Sequence, residues 1–141
     1  MTAKVLYNVI KNADSRLVDD IINLYISGGW WGDDSKPEII PDMVKGSFLF
    51  LAAVDDNGKM VGMGRAISDG VSDAYIQDVV VLKEMRGTGI GREIIKTLTR
   101  ECVQAGIMWI GLVAEPGTEA FYAPLGFRRL KGFTPLKYSM E

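Results

Sequence analysis

The part of this chain that most restricts its fold is residues 74–105, where the hydrophobic period changes across a glycine-rich turn. Ala74–Leu82 is dense in β-branched residues and reads as a strand. Lys83-Glu84-Met85 follow, then Arg86-Gly87-Thr88-Gly89-Ile90-Gly91. From Gly89 to Ala105 the spacing becomes helical: Ile90, Ile94, Ile95, Leu98 and Cys102 form one stripe, closed by Gly106. A strand that feeds a helix through such a turn leaves several backbone N–H groups without partners. With the helix dipole behind them they seat an anion, and glycine lets a phosphate come close. The competing reading is a plain strand-to-helix connection that uses its glycines for geometry alone.

The remaining elements fall around this unit. Val5–Ile10 alternates as a first strand, and Asp14 or Ser15 caps a helix carrying Leu17, Ile21, Leu24 and Tyr25, which ends at Gly28-Gly29. A loop rich in aromatics and acids, Trp30-Trp31-Gly32-Asp33-Asp34, precedes a short helix around Pro41–Lys45. Phe48–Val54 and Lys59–Ser68 flank Asn57-Gly58, a strong hairpin signal, with Met60, Gly62, Gly64 and Ala66 on one strand face. Asp69-Gly70 turns the chain into the strand described above. After the long helix, Ile107–Val113 reads as a strand buried on both faces, Pro116 as the first turn of a helix and Gly126 as its end. Phe127–Leu130 and Leu136–Ser139 read as short closing strands, and their apolar residues offer an edge for a homodimer. The expectation is an α/β (α+β) fold in a single domain over residues 1–141. It has a mixed, mostly antiparallel sheet of six to seven strands flanked by about four helices on both faces.

Composition removes whole classes of chemistry. The 141 residues contain no histidine, which excludes Ser-His-Asp and Cys-His catalysis and the usual catalytic zinc sites, so no metal site is expected. A net charge of −2 gives no basic footprint for nucleic acid, and no apolar stretch is long enough to span a membrane as a helix. Met1-Thr2-Ala3-Lys4 lacks a leader's apolar region, and the single cysteine, Cys102, sits on the helix's apolar stripe as a core residue. Both suit a cytoplasmic protein.

Two familiar phosphate loops do not fit. A P-loop needs Lys-Ser or Lys-Thr where Arg92-Glu93 stand, and a dinucleotide fingerprint counted from Gly87 meets Arg92 where a third glycine belongs. Arg86, Gly89 and Gly91 instead match the cofactor signature of the GCN5-related N-acetyltransferases, and Asp78-Val79-Val80-Val81 resembles that family's fourth strand. Downstream, Phe121-Tyr122-Ala123-Pro124-Leu125-Gly126-Phe127 resembles its Phe-Tyr segment, in the family's order and spacing. The resemblance covers essentially the whole chain and implies an acetyl-CoA-dependent N-acetyltransferase acting by direct attack in a ternary complex.

It also implies roles. Backbone amides from Gly87 through Thr88, Gly89, Ile90 and Gly91 to Arg92 hold the CoA pyrophosphate, with Arg86 orienting the loop. Val79, Val80 and Val81 border a gap between the fourth and fifth strands, where backbone groups pair with the pantetheine arm like an added strand. Tyr122 donates to the departing thiolate, or else only packs. Asp78 takes the acceptor's proton, directly or through water, or else pairs with an arginine or caps a strand end. Trp30, Trp31, Asp33 and Asp69 face a small cationic amine, or else form a solvated acidic loop with one tryptophan tucked into the core, and a turn. One departure is Glu115, which stands where many relatives carry an asparagine against the cofactor arm. The alternative to an enzyme is a non-catalytic acyl-CoA-binding regulatory module, identical on the cofactor side.

Overall fold

A computed structural model describes residues 4–140; Met1–Ala3, on which part of the leader reading rests, and Glu141 lie outside the described residues. Five strands form one sheet in the order β1-β2-β3-β4-β5: Leu6–Val9, Leu49–Val54, Met60–Ser68, Asp73–Val81 and Trp109–Leu112. The first four pair antiparallel, and β5 pairs parallel with β4. Four α-helices accompany them: α1 Ser15–Ser27, α2 Ile40–Gly46, α3 Ile90–Gln104 and α4 Glu119–Tyr122.

Local chemistry fixes the ends of these elements. The Asp14 side chain accepts from the Leu17 N–H at 2.9 Å and caps α1. Gly29, at φ 77°, carries the chain away from the helix in the left-handed region. In the β2–β3 hairpin the Asp55 N–H donates to the Lys59 carbonyl, while the Asp55 carboxylate takes the amides of Asn57 and Lys59.

Strand β3 separates the two helical layers. On one face Gly62 and Gly64 let α3 lie against the sheet: a Cβ at Gly64 would come within 2.8 Å of Ile94 Cγ2 and 3.0 Å of Leu98 Cδ1. On the other face Arg65 reaches Asp78, which also binds Tyr25 of α1, and Ser47 at the end of α2. Ile21, Leu24, Phe50, Met63, Ile94, Ile95 and Leu98 fill the two interlayer spaces and are fully buried.

Opposite Gly64 the sheet breaks register. Met63 pairs with Val80 and Arg65 with Gln77, so two residues of β4, Asp78 and Val79, face a single residue of β3. Asp78 takes the strain of this bulge at φ 59°. Pairing of β4 with β5 stops at Ile76–Leu112, immediately before the bulge, and beyond it the strands part.

The end of the chain differs from expectation. Ile107 is buried, but Met108 is 93% exposed, Trp109 49% and Val113 57%. The segment is therefore a short edge strand rather than one covered on both faces. An apolar run signals a strand, but burial needs a neighbour, and among the described residues nothing pairs on the far side of β5. For the same reason Phe127–Leu130 and Leu136–Ser139 form no strands, giving five strands among the described residues instead of six or seven. Pro116 lies in the turn ahead of α4, which starts at Glu119. Gly126, at φ 98°, does close this helical segment.

Candidate active site

The parting of β4 and β5 opens a cleft of about 600 Å³ between the end of α1, the outer edge of β4, the start of α3 and α4. Its floor is the turn 86–91. Gly87 at φ 80° and Gly89 at φ 90° hold the left-handed conformation, and a Cβ built on either would meet nothing within 4 Å. No side chain caps α3, and its first closing bond runs from the Glu93 N–H to the Gly89 carbonyl. The amides of Ile90, Gly91 and Arg92 therefore have no acceptor within the helix. Open space over glycines, beside uncapped N–H groups at the positive end of a 15-residue helix, fits a pyrophosphate.

Arg86 holds this floor in place. Its Nε donates to the Val81 carbonyl at 3.0 Å and a terminal nitrogen reaches the Ser27 carbonyl at 3.5 Å, tying the turn to β4 and to the end of α1. Thr88 Oγ1 donates to the Met85 carbonyl at 2.6 Å, so its side chain closes the turn and does not line the cleft. Arg92 is exposed and also lies outside the lining. Val79, Val80 and Val81 border the cleft. The Leu82 N–H bonds Val61 on the β3 side, so alternation turns Val81's backbone groups outward. Arg86 already occupies the Val81 carbonyl, which leaves the N–H of that residue for a ligand.

A second cavity of about 340 Å³ lies on the other side, over Tyr75–Val79 of β4 and Leu112–Val113. Trp30, Val79, Glu115, Thr118 and Tyr122 line both cavities, so these five residues mark the waist between them. Tyr122 is held edge-on by Phe121 and Phe127, with ring centroids 4.9 and 5.9 Å away. Its hydroxyl makes no hydrogen bond among the described residues. Burial, and after it the charge of Glu115, push this phenol above its ordinary pKa of 10.0, so it remains a donor at neutral pH.

Asp78 borders the second cavity, but its Oδ2 accepts both from Arg65 Nε and from the Tyr25 hydroxyl, each at 2.7 Å. Of the roles the sequence allows, the arginine partner is the one observed. Burial, then the charge of Asp78, keep Tyr25 neutral far into the alkaline range. The acceptor residues separate. Trp30 lines both cavities, whereas Trp31 stacks on Tyr25 at 4.4 Å and lines neither. Asp33 is exposed in the loop, away from both. Asp69 is a turn residue: its carboxylate takes the amides of Val71 and Ser72 and the Ser72 hydroxyl, and these bonds hold it below the usual carboxylate range.

Two features were not read from sequence. Arg65 and Tyr25 form the support behind Asp78; a lone arginine between Gly64 and Ala66 in an otherwise apolar strand was the available signal. The second is a hydrogen bond at the waist, from Trp30 Nε1 to Glu115 Oε1 at 2.6 Å, between residues 85 apart in the chain. No local pattern announces it.

The family model for the acetyltransferase (GNAT) family matches residues 18–127. An uncharacterized N-acetyltransferase, ycf52, of Pyropia yezoensis is 39% identical over 87 residues, covering 60% of this chain and 50% of that protein. The chloroplastic serotonin N-acetyltransferase 2 of rice, Oryza sativa subsp. japonica, is 38% identical over 76 residues, covering 54% and 38%. The match thus spans half or less of the length of these relatives. A GNAT-family acetyltransferase from Streptococcus pneumoniae TIGR4 superposes with a TM-score of 0.77 at 22% identity, covering 98% of this chain and all of that one. An acetyltransferase of Trypanosoma brucei gives 0.77 at 21% identity over 96% of this chain. These last two likenesses concern the fold.

Proposed function

The chain belongs to the acetyltransferase (GNAT) family, and we propose that it transfers an acetyl group from acetyl-CoA to a small, cationic primary amine by direct attack in a ternary complex. The observation that carries this reading is the waist. One cavity ends on an anion seat, the other lies over β4, and Tyr122 stands between them with an unengaged hydroxyl.

Acetyl-CoA, when bound, supplies the acyl group as an activated thioester. The amides of Ile90, Gly91 and Arg92 hold its pyrophosphate over Gly87 and Gly89. The Val81 N–H, on the free edge of β4, lines up the arm that runs towards the waist. Tyr122 donates its hydroxyl proton where the thiolate charge develops. No nucleophilic side chain with an adjacent base lines either cavity, which supports direct attack over an acyl-enzyme. The pair of cavities also favours an enzyme over a binding module, since a module needs only the first.

The test is thiol release from acetyl-CoA against a panel of primary amines, with serotonin included because the rice relative carries it in its name. Release that depends on one amine and on Tyr122 supports the proposal. Binding of acetyl-CoA with no release across the panel favours the regulatory module.

A further inference from the structure

The two carboxylates at the reaction centre differ in what neutralises them. Asp78 is half of an ion pair, with Arg65 Nε and the Tyr25 hydroxyl on the same oxygen. Glu115 lines both cavities and has a neutral partner, the indole N–H of Trp30. Among the described residues it forms no ion pair. Arg86, the cation lining the donor cleft, bonds the carbonyls of Val81 and Ser27 instead. The waist therefore carries one uncompensated negative charge, on Glu115. Trp30 fixes its position, and it lies near enough to Tyr122 for its charge to act on that phenol. The ionisable groups around it are Tyr75, Asp78 and Tyr122 in the second cavity and Arg86 in the first.

Three aromatic residues, Trp30, Tyr75 and Tyr122, line the second cavity with that charge, beside the aliphatic Ile76, Val79 and Leu112. A solvent-reached carboxylate held at the edge of the Trp30 indole, beside the rings of Tyr75 and Tyr122, fits an ammonium carried on a flat apolar body, through ion pairing, cation–π contact and offset stacking. We propose that Glu115 is the group that binds and deprotonates the acceptor, and that the acceptor class is the primary arylalkylamines; this rests on the acetyltransferase reading above. In the step, one N–H bond of the ammonium breaks and an O–H bond forms on Glu115. The nitrogen keeps the electron pair as its nucleophilic lone pair, and the carboxylic acid later returns its proton to water. Asp78 keeps its charge and shapes the bulge.

Tryptamine and its neutral isostere tryptophol are the probes, with wild type, Glu115→Gln and Asp78→Asn. Glutamine retains the oxygen that accepts from Trp30, so the variant removes the charge and keeps the wall. Titrated into CoA-saturated protein, tryptamine should bind wild type at least tenfold more tightly than Glu115→Gln. Tryptophol should bind both alike. In turnover, Glu115→Gln should raise KM for tryptamine about tenfold or more, and its rate should climb with pH as free amine becomes available, where wild type has levelled off. Equal tryptamine affinity in wild type and Glu115→Gln, equal binding of tryptamine and tryptophol by wild type, or a larger loss of tryptamine affinity in Asp78→Asn would overturn the assignment. Glu115-dependent tryptamine binding without thiol release would leave the ammonium site standing and remove the transferase reading.

Discussion

Arg65 Nε and Asp78 Oδ2 meet at 2.7 Å where β4 places two residues against one of β3, with both side chains largely buried. The bulge that parts β4 from β5 depends on a non-glycine residue in the left-handed region, a conformation that costs about 1–2 kcal/mol. Arg65 and Tyr25 offset that cost by fixing the carboxylate. Arg65→Met should therefore destabilise the fold by about 3 kcal/mol, because it strands a buried charge. Arg65→Met combined with Asp78→Asn should lose less than the sum of the two single changes. Urea unfolding of the four proteins measures both quantities, and strict additivity would mean that the pair is not a unit.

The raised pKa of Tyr122 fixes the sign of a pH effect. A phenol pushed above 10.0 stays protonated, and so able to donate, until the pH passes that value. Turnover that depends on this proton should hold through neutral and mildly alkaline solution and fall only above about pH 10. Tyr122→Phe should lower kcat about a hundredfold, remove that alkaline limb and leave CoA affinity nearly unchanged. An unaltered kcat would return Tyr122 to a packing role.

How much of this was legible in the sequence follows from the range of the interactions. The cap at Asp14, the hairpin at Asn57-Gly58 and the turn at Arg86–Gly91 are set by neighbours a few residues away, and each stands where the pattern puts it. The cleft over this turn was readable for that reason, because a turn and a helix start build most of its floor. The Trp30–Glu115 bond and the Arg65–Asp78–Tyr25 cluster join distant segments, and no periodicity encodes which pairs will meet. Asp33 and Asp69 show the converse: an acidic residue near a binding loop looks the same whether it faces a ligand, stands exposed as Asp33 does, or folds back on its own turn as Asp69 does. The closing strands failed on a third ground, since alternation along Leu136–Ser139 describes a strand face but cannot provide a second strand to pair with.

Gly64 tests the packing of α3 on the sheet. A methyl group there would press on Ile94 Cγ2 at 2.8 Å and on Leu98 Cδ1 at 3.0 Å, both on fully buried residues. Gly64→Ala should cost about 1–3 kcal/mol and lower the melting temperature by several degrees. An unchanged melting temperature would show that α3 can shift on the sheet. Donor binding should then be examined first, because the anion seat moves with that helix.

Gly89 and Gly106 separate the two reasons for having glycine at the ends of α3. Both sit at φ 90°, and a Cβ at either meets nothing within 4 Å. Valine at each position therefore imposes the same kind of backbone strain, about 1–3 kcal/mol, without a steric clash inside the protein. They differ in what approaches from outside. Gly89 opens the anion seat, whereas Gly106 closes the far end of the helix. In thermal melts the two variants should lose similar stability. Acetyl-CoA should raise the melting temperature of the wild type and of Gly106→Val, and Gly89→Val should lose that shift. Loss of the shift in both variants would trace the effect to the helix as a whole. Its survival in Gly89→Val would make the glycine a device of turn geometry and leave the pyrophosphate to be held elsewhere.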